Sequence, residues 1–212
     1  MEKRFKYPRT PHLPGSPGAS PDDIRAGVPV SFRNSLVVVT EKMDGENTTL
    51  YRDGLHARSI DGRTHPSRTW VKALHGRISY TIPVGYRVCG ENLFAQHSLR
   101  YENLASYFMV FSVWDNSNEC LSWEATREFA GGRGLECVRT LYEGEWRPDL
   151  IASLPFDATA MEGFVVRASS SFRFDEFGDH VAKWVRRGHV QTDSHWMHTA
   201  VVPNGLAPKV DR

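Results

Sequence analysis

Four short clusters of the sequence hold ionisable residues beside apolar runs. In chain order they are Lys42-Met-Asp-Gly, Gly90-Glu-Asn-Leu, Glu162-Gly-Phe-Val-Val-Arg and Lys183-Trp-Val-Arg. A lysine amine can act as a nucleophile, and carboxylates together with water form the shell that magnesium prefers. Each cluster is weak alone, because a Lys-x-Asp-Gly pattern arises by chance in on the order of a few per cent of chains this long. Their significance lies in the set, since each cluster lies at the end of a predicted strand.

The apolar pattern predicts the elements that must position these clusters. Leu36 to Val39 is a β-branched run and Asn47 to Tyr51 alternates, so that residues 42–46 form the turn between two strands. Further strands are predicted over Tyr86 to Leu93, Tyr107 to Trp114, Leu135 to Leu141, Met161 to Ala168 and His180 to Arg186. Helices are predicted after Ser67 and near Ser122 to Ala130. Strands with irregularly interspersed helices indicate an α+β domain of mostly antiparallel sheets flanked by helices.

The chain is expected to form one domain with an N-terminal arm. Residues 1–34 are rich in proline, glycine and serine and have few periodic apolar positions, which predicts an arm packed on the domain. Residues 35–212 are then expected to form the domain that carries the four clusters.

Composition excludes some classes of protein. No run approaches the roughly 18 apolar residues of a membrane-spanning helix, and the basic, proline-rich start lacks the apolar centre of a signal peptide. The three cysteines are widely spaced, which fits free thiols in a reducing compartment. We therefore expect a cytoplasmic protein without a membrane or an obligate protein partner. A net charge of +1, from 26 basic and 25 acidic residues, neither requires nor forbids a nucleic-acid partner.

The set of clusters resembles the covalent nucleotidyltransferases, which comprise DNA ligases, RNA ligases and mRNA capping enzymes. Lys42-Met-Asp-Gly looks like their first motif, with the lysine nucleophile, and Gly90-Glu91, Glu162-Gly163 and Lys183 look like three later motifs. Residues 108–114 look like the aromatic strand of the family. The run Gly90-Glu-Asn-Leu-Phe-Ala-Gln-His-Ser-Leu-Arg-Tyr, together with Glu46-Asn47, is most similar to the small RNA repair ligases.

The resemblance implies ATP, magnesium or manganese, and roles for particular residues. Lys42 is the catalytic nucleophile that becomes adenylated. The nucleotide-binding residues would be Glu41, Lys42, Asn47, Arg58, Glu91, Phe111, Glu162 and Lys183. The acids that hold a metal through water would be Asp44, Glu91 and Glu162, with ribose as an alternative ligand of Glu91. The residues that contact RNA would be Arg58, His97, Arg186 and Arg187.

The lysine needs a neutral amine to attack the α-phosphorus of ATP. Its ordinary pKa is about 10.4, and neighbouring cations and partial burial favour the neutral form. Arg58, Lys183 and a bound metal are predicted to supply those charges. Positioning and charge neutralisation then carry most of such a transfer.

The last motif departs from the family pattern. Many ligases have two lysines separated by one residue there, whereas this chain has Lys183-Trp-Val-Arg-Arg, so a partner cation must come from Arg186 or Arg187. Too few residues follow for an appended oligonucleotide-binding barrel. This favours an RNA ligase that joins 5′-phosphate and 3′-hydroxyl ends, with tRNA as one candidate substrate, over a DNA nick ligase, a capping guanylyltransferase or a non-catalytic nucleic-acid-binding relic.

Some residues of the site have plainer alternatives. Phe111 would stack on adenine, but a core-packing ring gives the same pattern. His97 would either contact RNA or order its loop. His195 and His198 would share a helix face, yet no acid or cysteine completes a zinc set.

Overall fold

The computed structural model describes residues 2–25, 27–33, 35–60, 65–188 and 201–208. The strands are β1 Leu36–Lys42, β2 Glu46–Tyr51, β3 Gly54–Ala57, β4 Arg87–Asn92, β5 Phe108–Trp114, β6 Glu119–Cys120, β7 Glu136–Cys137, β8 Thr140–Glu145, β9 Gly163–Ala168, β10 Phe172–Arg173 and β11 Val181–Val185. The α-helices are α1 Thr69–Ile78, α2 Trp123–Gly131, α3 Leu150–Ser153 and α4 Phe177–His180. Short 3-10 helices cover Val30–Phe32, Pro66–Arg68, Ser79–Thr81 and Phe174–Glu176.

Two sheets make up the fold. The smaller has the strand order β11-β9-β1-β8, and the larger has the path β10-β6-β5-β4-β2-β3 with β7 paired to β5. The strand pairs are antiparallel except for β5 with β7. The predicted α+β class with mostly antiparallel sheets is confirmed.

The predicted strand over residues 135–141 is wrong as a single element. The chain passes there from the larger sheet to the smaller, so that β7 and β8 are separate strands. Val138 is buried between them and its N–H donates to the Val110 carbonyl, whereas the Arg139 carbonyl accepts from the Glu41 N–H. Apolar pattern predicts burial, and it does not distinguish burial in one sheet from burial between two.

The helices follow from spacing and capping. Val71, Leu74 and Ile78 of α1 are buried at helical spacing, while the predicted Ser67 cap lies in the 3-10 turn just before the helix. The helix predicted near residues 122–130 is α2, and Ser122 caps it, since its hydroxyl accepts from the Ala125 N–H. None of the helices in the described residues is long and apolar enough to cross a membrane.

An apolar cluster joins the sheets. Val38 of β1 belongs to the same buried cluster as Met109 of β5, Trp123 of α2 and Val138. Because side chains alternate across a strand, the residues of β1 that share the face of Val38 must point toward the larger sheet.

Both terminal segments pack on the sheets. In the N-terminal arm, the Pro11 carbonyl accepts from the Lys183 N–H, and the Leu13 N–H donates to the Lys183 carbonyl. In the C-terminal segment, Asn204 is buried and its amide donates to the Leu93 carbonyl. These bonds hold β11 and the loop after β4 on either side of the space between the sheets.

Candidate active site

A cavity of about 950 Å³ lies between the two sheets. Strand alternation builds one wall, since Thr40 and Lys42 of β1, Val165 of β9 and Lys183 of β11 all line it. The larger sheet supplies the opposite wall, including Asn47 of β2, Glu91 of β4 and Phe111 of β5. The sequence clusters therefore converge on one space.

Lys42 and Glu162 form the central pair of the cavity. Lys42 lies opposite Gly163 in the β1–β9 register, so Glu162, which directly precedes β9, reaches the lysine. The Lys42 Nζ donates to Glu162 Oε2 at 2.6 Å and lies 2.6 Å from Oε1. The Glu162 side chain is 0% exposed and that of Lys42 is 23% exposed, so the pair forms with little competition from water.

The charge state of Lys42 differs from the sequence prediction. Burial favours the neutral amine, but the charges of Glu162, Glu91 and Asp44 outweigh it, so the pKa of Lys42 lies above its ordinary value. The carboxylates, and not the cations expected from the sequence, therefore set the direction of this shift. Lys42 rests as an ammonium ion held by carboxylates.

Two glycines allow the close approaches that this geometry needs. A Cβ at Gly163 would collide with the backbone carbonyl of Trp184 on β11. A Cβ at Gly45 would lie 2.6 Å from the Asn92 carbonyl oxygen, closer than side-chain carbons approach such an atom. The glycine after Asp44 and the glycine after Glu162 therefore let each motif lie against a neighbouring strand.

Asp44 and Glu91 are fixed by the loops around them. Asp44 Oδ2 accepts from the Ser98 hydroxyl at 2.7 Å and from the Leu99 N–H at 2.8 Å. Glu91 Oε1 accepts from the Gly45 N–H at 3.1 Å. The pKa of Glu91 is raised to about 8, chiefly by burial. The positive charge of Lys42 lowers this pKa, and the negative charges of Glu162 and Asp44 raise it.

The three acids fit a hydrated divalent cation. Asp44, Glu91 and Glu162 all line the cavity, so carboxyl groups from three separate segments face one space. In the part of the chain that the structure describes, no group of three or more His, Cys, Asp or Glu side chains is placed to hold a metal. The arrangement suits coordination through water better than direct coordination.

Three further predicted nucleotide-binding residues line the same cavity. Asn47 Oδ1 is buried and has no hydrogen-bond partner among the described residues, which leaves an acceptor for a ligand hydroxyl. Phe111 is half-buried and faces the cavity, whereas its neighbours Phe108 and Val110 are fully buried. Glu41 also lines the cavity, but its carboxylate lies 3.0 Å from the guanidinium of Arg139.

The predicted RNA-binding residues separate into two groups. Arg58 is exposed just after β3 and lines the cavity, as does the half-buried His97. Arg186 and Arg187 are absent from the described lining of the cavity, and the Arg186 N–H donates to the Glu162 carbonyl. Their role as partner cations of Lys183 stays a prediction. His195 and His198 lie outside the described residues.

Several cavity residues were not predicted. Arg68 is bonded to Glu46 at 2.5 Å and both side chains are nearly buried. Arg167 of β9 has a buried Nη1 without a hydrogen-bond partner in the described residues, and the third motif cluster already contained it. Tyr7 and Asp23 come from the N-terminal arm, and Tyr7 packs edge-on against Phe111 with ring centroids 5.1 Å apart. Tyr7 and Asp23 could not be found from the sequence, because no sequence signal indicates that the arm reaches the cavity.

Comparisons with known proteins identify a family and a shared fold. A family model described as RNA ligase matches residues 35–185. No curated protein matches the chain. Among solved structures, Naegleria gruberi RNA ligase with PPi aligns with a TM-score of 0.52 and 18% identity, covering 74% of this chain and 52% of that one.

Two other solved structures align comparably. A variant of the Naegleria gruberi ligase with ATP and Mn has a TM-score of 0.50 and 15% identity, again covering 74% of this chain and 52% of that one. An archaeal ATP-dependent RNA ligase has a TM-score of 0.52 and 21% identity, covering 72% of this chain and 43% of that one. These identities show a shared fold, and the chain spans about half the length of the ligases it matches.

Proposed function

The chain belongs to the RNA ligase family, and on that premise we propose that it joins RNA 5′-phosphate and 3′-hydroxyl ends with ATP through an AMP adduct on Lys42. The observation that carries the proposal is the position of the Lys42 amine, 2.6 Å from buried Glu162 in a cavity that Asp44, Glu91 and Lys183 also line. A lysine, a counter-carboxylate and a second cation around one space match what transfer of a nucleotidyl group requires.

In the first step, the Lys42 Nζ attacks the α-phosphorus of ATP. A P–N bond forms and the P–O bond to pyrophosphate breaks. The Lys42 ammonium gives up two of its three protons, one before the attack and one as the P–N bond forms, and the departing pyrophosphate or solvent accepts the second. Glu162 lies within hydrogen-bond distance of Nζ, so its carboxylate is the nearest proton acceptor. Lys183, whose side chain lines the same cavity, is placed to neutralise charge on the α-phosphate.

The other residues bind and orient the nucleotide. Asn47 offers its unpaired Oδ1 to a ribose hydroxyl, and the half-buried ring of Phe111 offers a face or an edge to adenine. Asp44, Glu91 and Glu162 would hold magnesium or manganese through water. The metal ion would neutralise part of the phosphate charge. Arg58 and His97 line the cavity and would contact the RNA end.

Two further steps would complete the reaction. The AMP passes from Lys42 to the RNA 5′-phosphate, where a P–O bond replaces the P–N bond and the lysine is released. The RNA 3′-hydroxyl then attacks that phosphate and AMP leaves. Repair of broken RNA, including tRNA, is the role we propose.

The test is incubation of the purified protein with magnesium and ATP, followed by determination of the intact mass under denaturing conditions. We expect a covalent gain of one AMP that is lost in Lys42→Ala and retained in Lys72→Ala, a matched change at an exposed lysine of α1. GTP in place of ATP, and DNA in place of RNA ends, separate the reaction from capping and from DNA nick sealing.

Two outcomes would contradict the proposal. An adduct of unchanged yield in Lys42→Ala would refute the nucleophile, and no adduct with either nucleotide or either metal would refute nucleotidyl transfer. Sealing of RNA that is already adenylated should survive in part in Lys42→Ala, because that step no longer needs the nucleophile.

A further inference from the structure

The N-terminal arm contacts the smaller sheet at the lysine of the last motif. The arm bonds to both backbone groups of Lys183: the Lys183 N–H donates to the Pro11 carbonyl at 2.8 Å, and the Leu13 N–H donates to the Lys183 carbonyl at 2.8 Å. It then turns back, and Asp23 Oδ1 lies 3.9 Å from Lys183 Nζ. Asp23 also lines the cavity, with its side chain 8% exposed. The arm thus contacts both the backbone and the side chain of this lysine.

Asp23 is itself held in place. Its Oδ2 accepts from the Ser20 N–H at 3.0 Å and from the Ser20 hydroxyl at 2.8 Å, and it lies 3.5 Å from His12 Nε2. Burial lowers the pKa of His12 to about 4, so this ring is neutral near pH 7. Arg9 lies 3.8 Å from Oδ1, but its side chain is mostly exposed. The buried charge that the arm presents to Lys183 is therefore the Asp23 carboxylate.

Lys183 needs such a counter-charge. Burial lowers its pKa, and the positive charges of Lys42 and Arg58 act in the same direction, against Asp23 and Glu162. Glu162 is already paired with Lys42 at 2.6 Å. Asp23 is consequently the carboxylate available to keep the Lys183 amine charged and to fix its direction.

We propose that Asp23 is a positioning residue for the reaction, and that through it the N-terminal arm holds the charged Lys183 amine toward the α-phosphate in the cavity. This inference rests on the proposed function, because the role of Lys183 in nucleotidyl transfer belongs to that function. It adds the requirement that an arm residue, remote in sequence from the four motif clusters, completes the site.

The first experiment compares Asp23→Asn with Asp22→Asn, a matched change at the exposed neighbour. At saturating ATP, Asp23→Asn should slow covalent AMP attachment about tenfold, which is less than the roughly hundredfold loss expected when a charge-stabilising donor is removed outright. Asp22→Asn should leave the rate within about twofold of the natural protein. Asp23→Glu, which keeps the carboxylate, should recover part of the rate.

A double-mutant cycle separates positioning from general support of the fold. If Asp23 acts through Lys183, Asp23→Asn should have little further effect in a Lys183→Met background, since interacting residues are not additive. An equal slowing with and without the Lys183 amine would overturn the proposal, as would a rate for Asp23→Asn equal to that of Asp22→Asn.

Amine labelling tests the same pair without ATP. Trace acetylation followed by mass spectrometry gives the reactivity of Lys183 relative to exposed Lys72 in one molecule. Asp23→Asn should raise the relative labelling of Lys183 several-fold, because loss of the carboxylate favours the neutral, reactive amine. Raised labelling of Lys183 in a protein that forms no AMP adduct would refute the proposed function but support the interaction of Asp23 with Lys183. Unchanged labelling together with normal adenylation would refute that interaction alone.

Discussion

Removal of the guanidinium of Arg68 is expected to destabilise the protein far more than removal of that of Arg127. Arg68 donates to Glu46 through Nε at 2.8 Å and through Nη2 at 2.5 Å, and the two side chains are 7% and 10% exposed. Arg127 lies 2.7 Å from Glu143, but these side chains are 46% and 41% exposed. The two pairs share their chemistry and differ in burial.

Burial sets the expected magnitudes. Arg68→Met leaves the Glu46 carboxylate buried without its partner, which should lower the free energy of unfolding by about 3 kcal/mol. Arg127→Met breaks an exposed pair and should cost about 0–1 kcal/mol. Adding Glu46→Gln to Arg68→Met should recover part of the loss, because the second change removes the uncompensated charge.

Urea unfolding at pH 7, followed by circular dichroism, measures these differences. Three proteins suffice for the comparison, namely the natural chain and the two methionine variants, and the double variant tests the cause. Losses for Arg68→Met and Arg127→Met that agree within about 0.5 kcal/mol would refute the argument from burial. A double variant less stable than Arg68→Met would refute the assignment of the loss to the buried Glu46 charge.

Three further predictions follow from single contacts. The protein should lose stability as the pH falls from 6.5 to about 4. The pKa of buried His12 is lowered to about 4, so the histidine of the unfolded chain takes up its proton at a higher pH than that of the folded protein. Urea unfolding at several pH values measures this loss, and an equally steep loss in His12→Gln would contradict the prediction. Gly163→Ala should cost about 2–3 kcal/mol in thermal unfolding, because its Cβ meets the Trp184 carbonyl, whereas Gly76→Ala in α1 has open space and should be neutral or stabilising. Phe111→Ala should raise the ATP concentration for half-maximal adduct formation about tenfold, and an unchanged value would remove this ring from the nucleotide site.

Most strands were predictable because their apolar runs end close to where pairing ends. The predicted strand over residues 86–93 corresponds to β4, Arg87–Asn92, and that over residues 107–114 corresponds to β5, Phe108–Trp114. The turn between the first two strands was predictable for the same reason, although it is shorter than predicted, since Lys42 belongs to β1 and Glu46 to β2. What failed was the segment over residues 135–141, where two short strands and a buried crossing give the same apolar pattern as one strand.

The cavity was predictable where its residues lie on strands and unpredictable where they lie on the arm. Lys42 and Lys183 line the cavity because alternation places them on the faces of β1 and β11 that point toward the larger sheet. Asp23 reaches Lys183 only because the arm pairs with β11, a contact between residues about 160 positions apart that no local pattern encodes. Arg186 and Arg187 were chosen for their charge in the motif, yet the described lining of the cavity includes neither.

The sign of the pKa shift of Lys42 shows the limit of charge reasoning from sequence. From the sequence, Arg58, Lys183 and a bound metal were expected to favour the neutral amine. The fold instead places Glu162 at 2.6 Å from Lys42 and brings Glu91 and Asp44 to the same cavity. Burial alone would lower this pKa, so three carboxylates from three separate segments decide the outcome. Because ATP itself adds negative charge, its arrival cannot by itself release the amine from Glu162. Under the proposed function, the carboxylates beside Lys42 must therefore lose part of their negative charge, to a proton or to a divalent cation, before the amine can attack.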